Sequence, residues 1–175
     1  MTRFDTTVTT VRQVAPGFIE LGFTWPAHLQ VPLPGQFFTV KTGGSKYDPV
    51  LRRPFAFSSF GSDSTAYSII QMKGRGTAWL GGRRTGDPLD VMGPLGTAFS
   101  APPASASPVL LAGGVGLGPM LYLMQSLVRQ AADGACAAPV LAAGFRTASL
   151  VPAIGLPAGT RSEEHTSELQ SRITI

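Results

Sequence analysis

The sequence predicts an antiparallel β-barrel followed by an incomplete Rossmann-like α/β unit. Three observations carry this. Across the first hundred residues, short stretches rich in Val, Ile, Thr and Phe recur between Gly, Pro and Asp turn signals. From Val109 onward the order is a short apolar strand, a glycine turn, a helix and a second apolar strand, which is a βαβ unit and predicts a parallel pair. Between the two lies APPASASP, with the composition of a linker.

Each element has its own signal. Residues 6–14 alternate Thr and Val with polar residues, as a half-buried strand does. FIELGF at 18–23 reads as the next strand. PLPGQFFTV at 32–40 is a turn feeding a strand, 53–58 is another, and AYSIIQM at 66–72 follows a turn that contains Gly61, Ser62 and Asp63. GRGTAWL at 74–80 predicts a tight turn and one or two helical turns, and GDPLDVMGPLG at 86–96 a strand between two turns. About six short strands with regular turn signals argue for a small barrel or sandwich. Beyond the linker, 109–112 is a strand, MLYLMQSLVRQAA at 120–132 a helix with Pro119 in its first turn and Gly134 near its end, and VLAAGF at 140–145 a second strand. The predicted domains are a barrel at 1–103 and an α/β segment at 104–160. The stretch 161–175 is set apart, because it holds three of the ten acidic residues and follows a segment of almost only Ala, Gly, Pro, Leu and Val. SEEHTSELQS resembles a translated sequencing adapter, so this tail is expected to be non-native and the α/β segment to be truncated.

Hydrophobic residues make up 43% and charged residues 14%, which excludes a disordered chain. The net charge is +4, yet basic residues cluster no further than the doublets Arg52-Arg53 and Arg83-Arg84. A nucleic-acid footprint is therefore not expected. The N-terminus lacks an apolar signal core, and no window reaches the ~20 apolar residues of a membrane span. The expectation is a cytoplasmic protein with no membrane. The single cysteine, Cys136, excludes both an internal disulfide and a four-cysteine metal site, and no metal ligands are assigned.

Three segments have site chemistry. GGVGLGP at 113–119 follows a strand and opens a helix, so its glycines let backbone approach a phosphate at a helix N-terminus. Gly114, Gly116 and Gly118 make GxGxG, with Pro119 where the usual dinucleotide fingerprint has its last glycine; tight turns of this kind also occur for steric reasons alone. An acidic partner for a ribose is missing, since Asp133 falls at the helix end, while Arg146 follows the second strand. LRRPFAFSS at 51–59 offers Arg53 as a planar donor to a pyrophosphate and Phe55 as a surface for a flat ring, with Phe57 a core residue on the same face. GRGT offers Gly76 and Thr77 to a phosphate, or Thr77 as a cap of its own turn. His28 reads as a surface loop residue, and no side chain is assigned a catalytic acid–base role.

The order of PGQF, RRPF, GRGT, GDPLDVMGPLG and GGVGLGP resembles the ferredoxin-reductase superfamily, which pairs a flavin-binding barrel with a nicotinamide-binding domain. DPVLRRPFAFSS, GRGTAWL, LDVMGPLGTAF and LLAGGVGLGPMLYL look most like the electron-transfer subunits of dihydroorotate dehydrogenase, over residues 18–146. The resemblance implies FAD contacts at Arg53, Pro54, Phe55 and Ala56, at the strand residues Ile69, Ile70 and Gln71, and at Gly76 and Thr77. It implies NAD contacts at Gly113, Gly114, Gly116 and Pro119. Ala56 stands where the family motif has a serine, so a hydroxyl is lost there, with Ser58 as a possible substitute. The resemblance further implies electron transfer between the FMN of a catalytic partner subunit, in a heterotetramer, a [2Fe–2S] cluster, FAD and NAD, in pyrimidine biosynthesis. Four ligands are needed for the cluster and one cysteine is present. A stand-alone NAD(P)H reductase serving a ferredoxin or an oxygenase, and a non-catalytic flavin-binding fragment, remain open alternatives.

Overall fold

The computed structural model describes residues 2–43 and 51–154, and the backbone of 163–165 and 171–174. Seven strands form one curled antiparallel sheet in the order β4-β3-β7-β1-β2-β6-β5. Its strands are β1 (Thr2–Ala15), β2 (Phe18–Thr24), β3 (Phe37–Val40), β4 (Arg53–Ala56), β5 (Ser59–Phe60), β6 (Thr65–Gln71) and β7 (Pro88–Leu95). The short helix α1 (Arg75–Gly81) lies between β6 and β7. β8 (Val109–Gly113), α2 (Leu117–Ala132) and β9 (Val140–Phe145) form the βαβ unit, and β8 and β9 pair in parallel as predicted.

The curl originates in β1. Its first half, Thr2 to Thr7, pairs with β7, and from Val8 it pairs with β2 through a register shift. A strand that changes partner along its length turns the sheet over on itself, and irregularities of this kind increase local twist. β1 begins at Thr2, four residues before the predicted start, because Thr2 to Asp5 find partners on β7 that local alternation does not announce.

The predicted strand at 53–58 stops at Ala56, and a separate short strand, β5, follows at Ser59–Phe60. β4 pairs with β3 at one edge of the sheet, and β5 pairs with β6 at the other. The chain crosses between the edges at Phe57 and Ser58, and two bonds close this seam. Ser58 N–H donates to Tyr67 O at 2.8 Å, and Ser68 Oγ donates to Ala56 O at 2.8 Å. Inside sit Phe23, Trp25, Phe38 and Phe57, each almost fully buried. Phe38 and Phe57 have ring centroids 4.9 Å apart, and the Trp25 ring meets Phe57 edge-on at 5.5 Å, a geometry aromatic pairs favour.

A second core joins the two halves. Val14, Ala15, Phe18 and Ile69 of the barrel pack with Leu117, Leu121, Met124 and Leu127 of α2, and with Leu141 and Phe145 of β9. Tyr122 of α2 is buried and donates its hydroxyl to Pro32 O in the barrel; burial pushes its phenol above the ordinary value, and the charge of Arg129 acts in the opposite direction. α2 ends at Gly134, whose positive φ of 74° turns the chain away. The other face of the β8–β9 sheet leaves Val109, Leu111 and Val140 exposed. Backbone 171–174 pairs antiparallel with β9, and 163–165 pairs with it in turn. The sequence predicts no element there; the β9 edge away from β8 offers a row of donors and acceptors that an extended segment can meet. The rest of the predicted tail, and residues 48–50 of the DPVLRRPFAFSS motif, lie outside the described residues.

Asp90 on β7 ties three elements together. It accepts from Arg3 Nη2 at 2.7 Å and from Arg52 Nη1 at 2.9 Å. Desolvation raises its carboxyl, but the hydrogen bonds from Arg3 and Arg52 outweigh that and hold it below the ordinary value. Its stabilisation is therefore complete above the unfolded carboxyl value of about 4 and is lost as pH falls through the lower folded value. Asp90→Asn is expected to lower stability at neutral pH by about 1–3 kcal/mol, measured by urea unfolding, and the gap to the parent chain should narrow on acidification.

Candidate functional site

The seam gives the two arginines different roles. Arg52 is consumed by the scaffold. Its Nε donates to Thr39 Oγ1 at 3.1 Å, its Nη1 to Asp90, and its Nη2 to Asp90 O at 2.7 Å and Thr39 O at 3.2 Å. Arg53 points to the opposite face and makes no hydrogen bond or ion pair among the described residues. It lies against the first turn of α1. A Cβ at Gly76 would stand 3.4 Å from both Cγ and Nε of Arg53, and 2.7 Å from Thr42 Oγ1. Glycine at 76 is what allows this turn to close onto β3 and β4. Thr42 is 1% exposed and its hydroxyl has no partner.

Gly76 and Arg53 thus come together, as the sequence predicts. Thr77 is placed beside them, with its hydroxyl already used. Thr77 Oγ1 accepts from Lys73 N and Gly74 N and donates to Gly74 O. It caps its own turn, so only its backbone faces outward chemistry. Phe55 shares the Arg53 face and packs on Phe38 at 6.0 Å, half-buried, while Phe57 is wholly core. Pro54 is exposed on the opposite face. Ala56 contributes its carbonyl to the seam. Ser58 is buried beside Gly118, where a Cβ would lie 3.5 Å from Ser58 Cβ.

On β6 the side chains of Ile69 and Ile70 are core residues of the two hydrophobic clusters, which leaves backbone and Gln71 for other contacts. β5 pairs only with Ala66 and Tyr67, so the edge of β6 beyond Tyr67 has no β5 partner.

The glycine turn divides in the same way. Gly113 ends β8, Gly114 has φ +51°, and Gly116 precedes α2; a Cβ on any of these three would meet nothing within 4 Å. Packing does not demand them. Gly118 lies against the barrel, where its Cβ would stand 3.6 Å from Ile69 Cβ, an ordinary van der Waals contact. Pro119 occupies the first turn of α2, where its missing N–H costs nothing. That turn carries no acidic residue and no side-chain cap. The α2 start and the open edge of β6 are therefore neighbours. Arg146 is exposed beyond β9, Asp133 caps the far end of α2, and His28 lies in an exposed turn. Sequence reasoning missed Thr42 and the scaffold role of Arg52; only their long-range partners, Gly76 and Asp90, reveal them.

No family model matches the chain. It is similar to curated proteins named dihydroorotate dehydrogenase B (NAD(+)), electron transfer subunit. The one from Desulforamulus reducens is 34% identical over 125 residues, 71% of this chain and 47% of that protein. The one from Bacillus caldolyticus is 35% identical over 148 residues, 83% of this chain and 55% of that protein. The chain thus spans about half the length of the curated relatives it matches. Among solved structures, Amycolatopsis cytochrome P450 reductase GcoB superposes with a TM-score of 0.70 at 22% identity, covering 87% of this chain and 46% of that one. Flavohemoglobin from Malassezia yamatoensis, with bound FAD and heme, gives 0.68 at 20% identity, covering 87% and 40%. Phthalate dioxygenase reductase gives 0.66 at 19% identity, covering 86% and 46%. The fold is that of the ferredoxin-reductase type.

Gly76→Ala is expected to destabilise the chain by about 1–3 kcal/mol, the usual range for overpacking. Thr42→Ala should recover part of that loss in the double variant, because it removes the oxygen that the new methyl meets. Thermal unfolding of the four chains checks this.

Proposed function

From the homology of this chain to dihydroorotate dehydrogenase electron transfer subunits over about half their length, we propose that it is the flavin-binding part of such a subunit, taking FAD on the barrel and NAD at the glycine turn. The observation that carries this is the uncommitted Arg53 held against Gly76, with the open β6 edge and the α2 start beside it. A guanidinium with no hydrogen-bond or ion-pair partner among the described residues, next to backbone N–H groups at a glycine, suits a diphosphate.

Arg53 would neutralise the diphosphate, and the N–H groups of Gly76 and Thr77, which lack helical acceptors, would donate to it. Phe55, held by Phe38, would flank the flavin ring, with the backbone of Pro54 and Ala56 beside it. The backbone of Ile69, Ile70 and Gln71 would offer ladder groups to a ring edge. Gly113, Gly114, Gly116 and Pro119 would let the NAD phosphates approach the positive end of α2. The interdomain core then fixes the two sites relative to each other. FAD supplies the redox chemistry; the chain supplies position and electrostatics. In the full-length subunit we infer that electrons pass between NAD and an FMN-containing dihydroorotate dehydrogenase catalytic subunit. A [2Fe–2S] cluster on that route needs ligands beyond the one cysteine of this sequence, which is buried beside Leu127.

The purified chain is expected to bind FAD, with flavin fluorescence changing on titration. Arg53→Ala should weaken binding by about 1–3 kcal/mol, the value of a charged hydrogen bond left unmade. Unchanged affinity in that variant, with the fold intact by circular dichroism, would remove Arg53 from the site.

A further inference from the structure

A second concavity lies apart from the Arg53 cleft, in the joint between the β5–β6 hairpin and α2. It is an open groove of about 410 Å³, lined by Ser59, Phe60 and Tyr67 on the barrel side and by Gln125, Val128 and Arg129 on the helix side. That volume is within the range of small-molecule sites. It shares no residue with the cleft assigned to FAD or with the glycine turn.

The lining is built, and its polar groups are uncommitted. Gln125, Val128 and Arg129 sit three and four positions apart on α2, so one helix face presents all three. The side chains of Arg129, Gln125, Tyr67 and Ser59 make no hydrogen bond or ion pair among the described residues. Tyr67 lies over Gly22, where a Cβ would stand 2.9 Å from its ring; glycine at 22 lets the ring lie on the sheet and fixes that wall. The hairpin is held by Asp63, whose two oxygens accept from Thr65 N and Thr65 Oγ1. The one carboxylate of the hairpin is therefore engaged within its own turn. Two aromatic rings, a guanidinium and an amide converge on one opening.

We propose that this groove is a second ligand site, for a planar ring bearing one anionic group, with the anion on Arg129 and Gln125 and the ring against Phe60, Tyr67 and Val128. A guanidinium recognises carboxylate and phosphate alike through parallel donors, and ring walls add offset or edge contacts with a bound ring. An occupant would touch the barrel and α2 at once, and so would act on the joint that sets the flavin and nicotinamide sites against each other.

The test uses the isotope-labelled chain and four probes: benzoate, phenyl phosphate, benzamide as ring without charge, and inorganic phosphate as charge without ring. At least one ring anion is expected to give saturable amide shifts at Gly61 and Tyr67 and at Gln125 and Val128, with both single-feature probes far weaker. Whether benzoate or phenyl phosphate binds more tightly distinguishes a carboxylate from a phosphate ligand. Arg129→Ala should weaken that binding roughly tenfold or more, and Gln125→Leu by less. Arg53→Ala should leave it unchanged, which separates this site from the FAD reading. Absence of saturable shifts with both ring anions, equal response to benzamide or to phosphate alone, or full affinity in folded Arg129→Ala and Gln125→Leu chains would overturn the proposal.

Discussion

Everything in this structure depends on how the seven-stranded sheet closes. A twisted sheet of this size leaves two edges with unpaired backbone groups, and those edges must be covered or brought together. Here β4 and β5 are consecutive in the chain but lie at opposite ends of the sheet order, so the two residues between them step across the seam. Ser58 and Ser68 fasten it with one bond each. The closure is partial, since β5 is two residues long and leaves the rest of β6 without a partner there. That partial closure leaves β6 beyond Tyr67 without a β5 partner, while Arg53 on β4 lies against Gly76.

The fold was largely legible in the sequence where the signal is local. Turn residues marked the strand ends, and the change from alternation to a strand–glycine–helix order marked the βαβ unit. What was not legible depends on distant partners. Arg52 and Arg53 are adjacent and chemically identical, and only the position of Asp90 and Thr39 on one face and Gly76 on the other separates a scaffold residue from a candidate site residue. The end of the predicted 53–58 strand at Ala56, and the separate β5 after it, follow from the different sheet edges that β4 and β5 meet. The hydroxyl of Thr77 could be assigned either to a ligand or to its own turn on sequence grounds, and the geometry gives it to the turn.

The glycines of the GGVGLGP turn show the same distinction on a smaller scale. At Gly118 α2 rests on Ile69, at a distance where an added methyl would make ordinary contact. A Cβ at Gly113, Gly114 or Gly116 would meet nothing among the described residues, and Gly114 takes a positive φ that glycine adopts without strain. Among the described residues no helix is long and apolar enough to cross a membrane, and the apolar content goes instead into two cores, one inside the barrel and one between the barrel and the βαβ unit. The second packs α2 and β9 against the barrel through Val14, Phe18 and Ile69.

The bare side of the β8–β9 sheet has a colloidal consequence. Leu111 is 74% exposed and Val109 66%, with Val140 alongside. A flat aliphatic strip of this kind, beside a free strand edge, favours stacking of one molecule on another. The modest surplus of positive charge opposes it only weakly once salt shortens the reach of that repulsion. Concentrated, salty preparations of this chain should therefore turn cloudy sooner than dilute ones at low ionic strength.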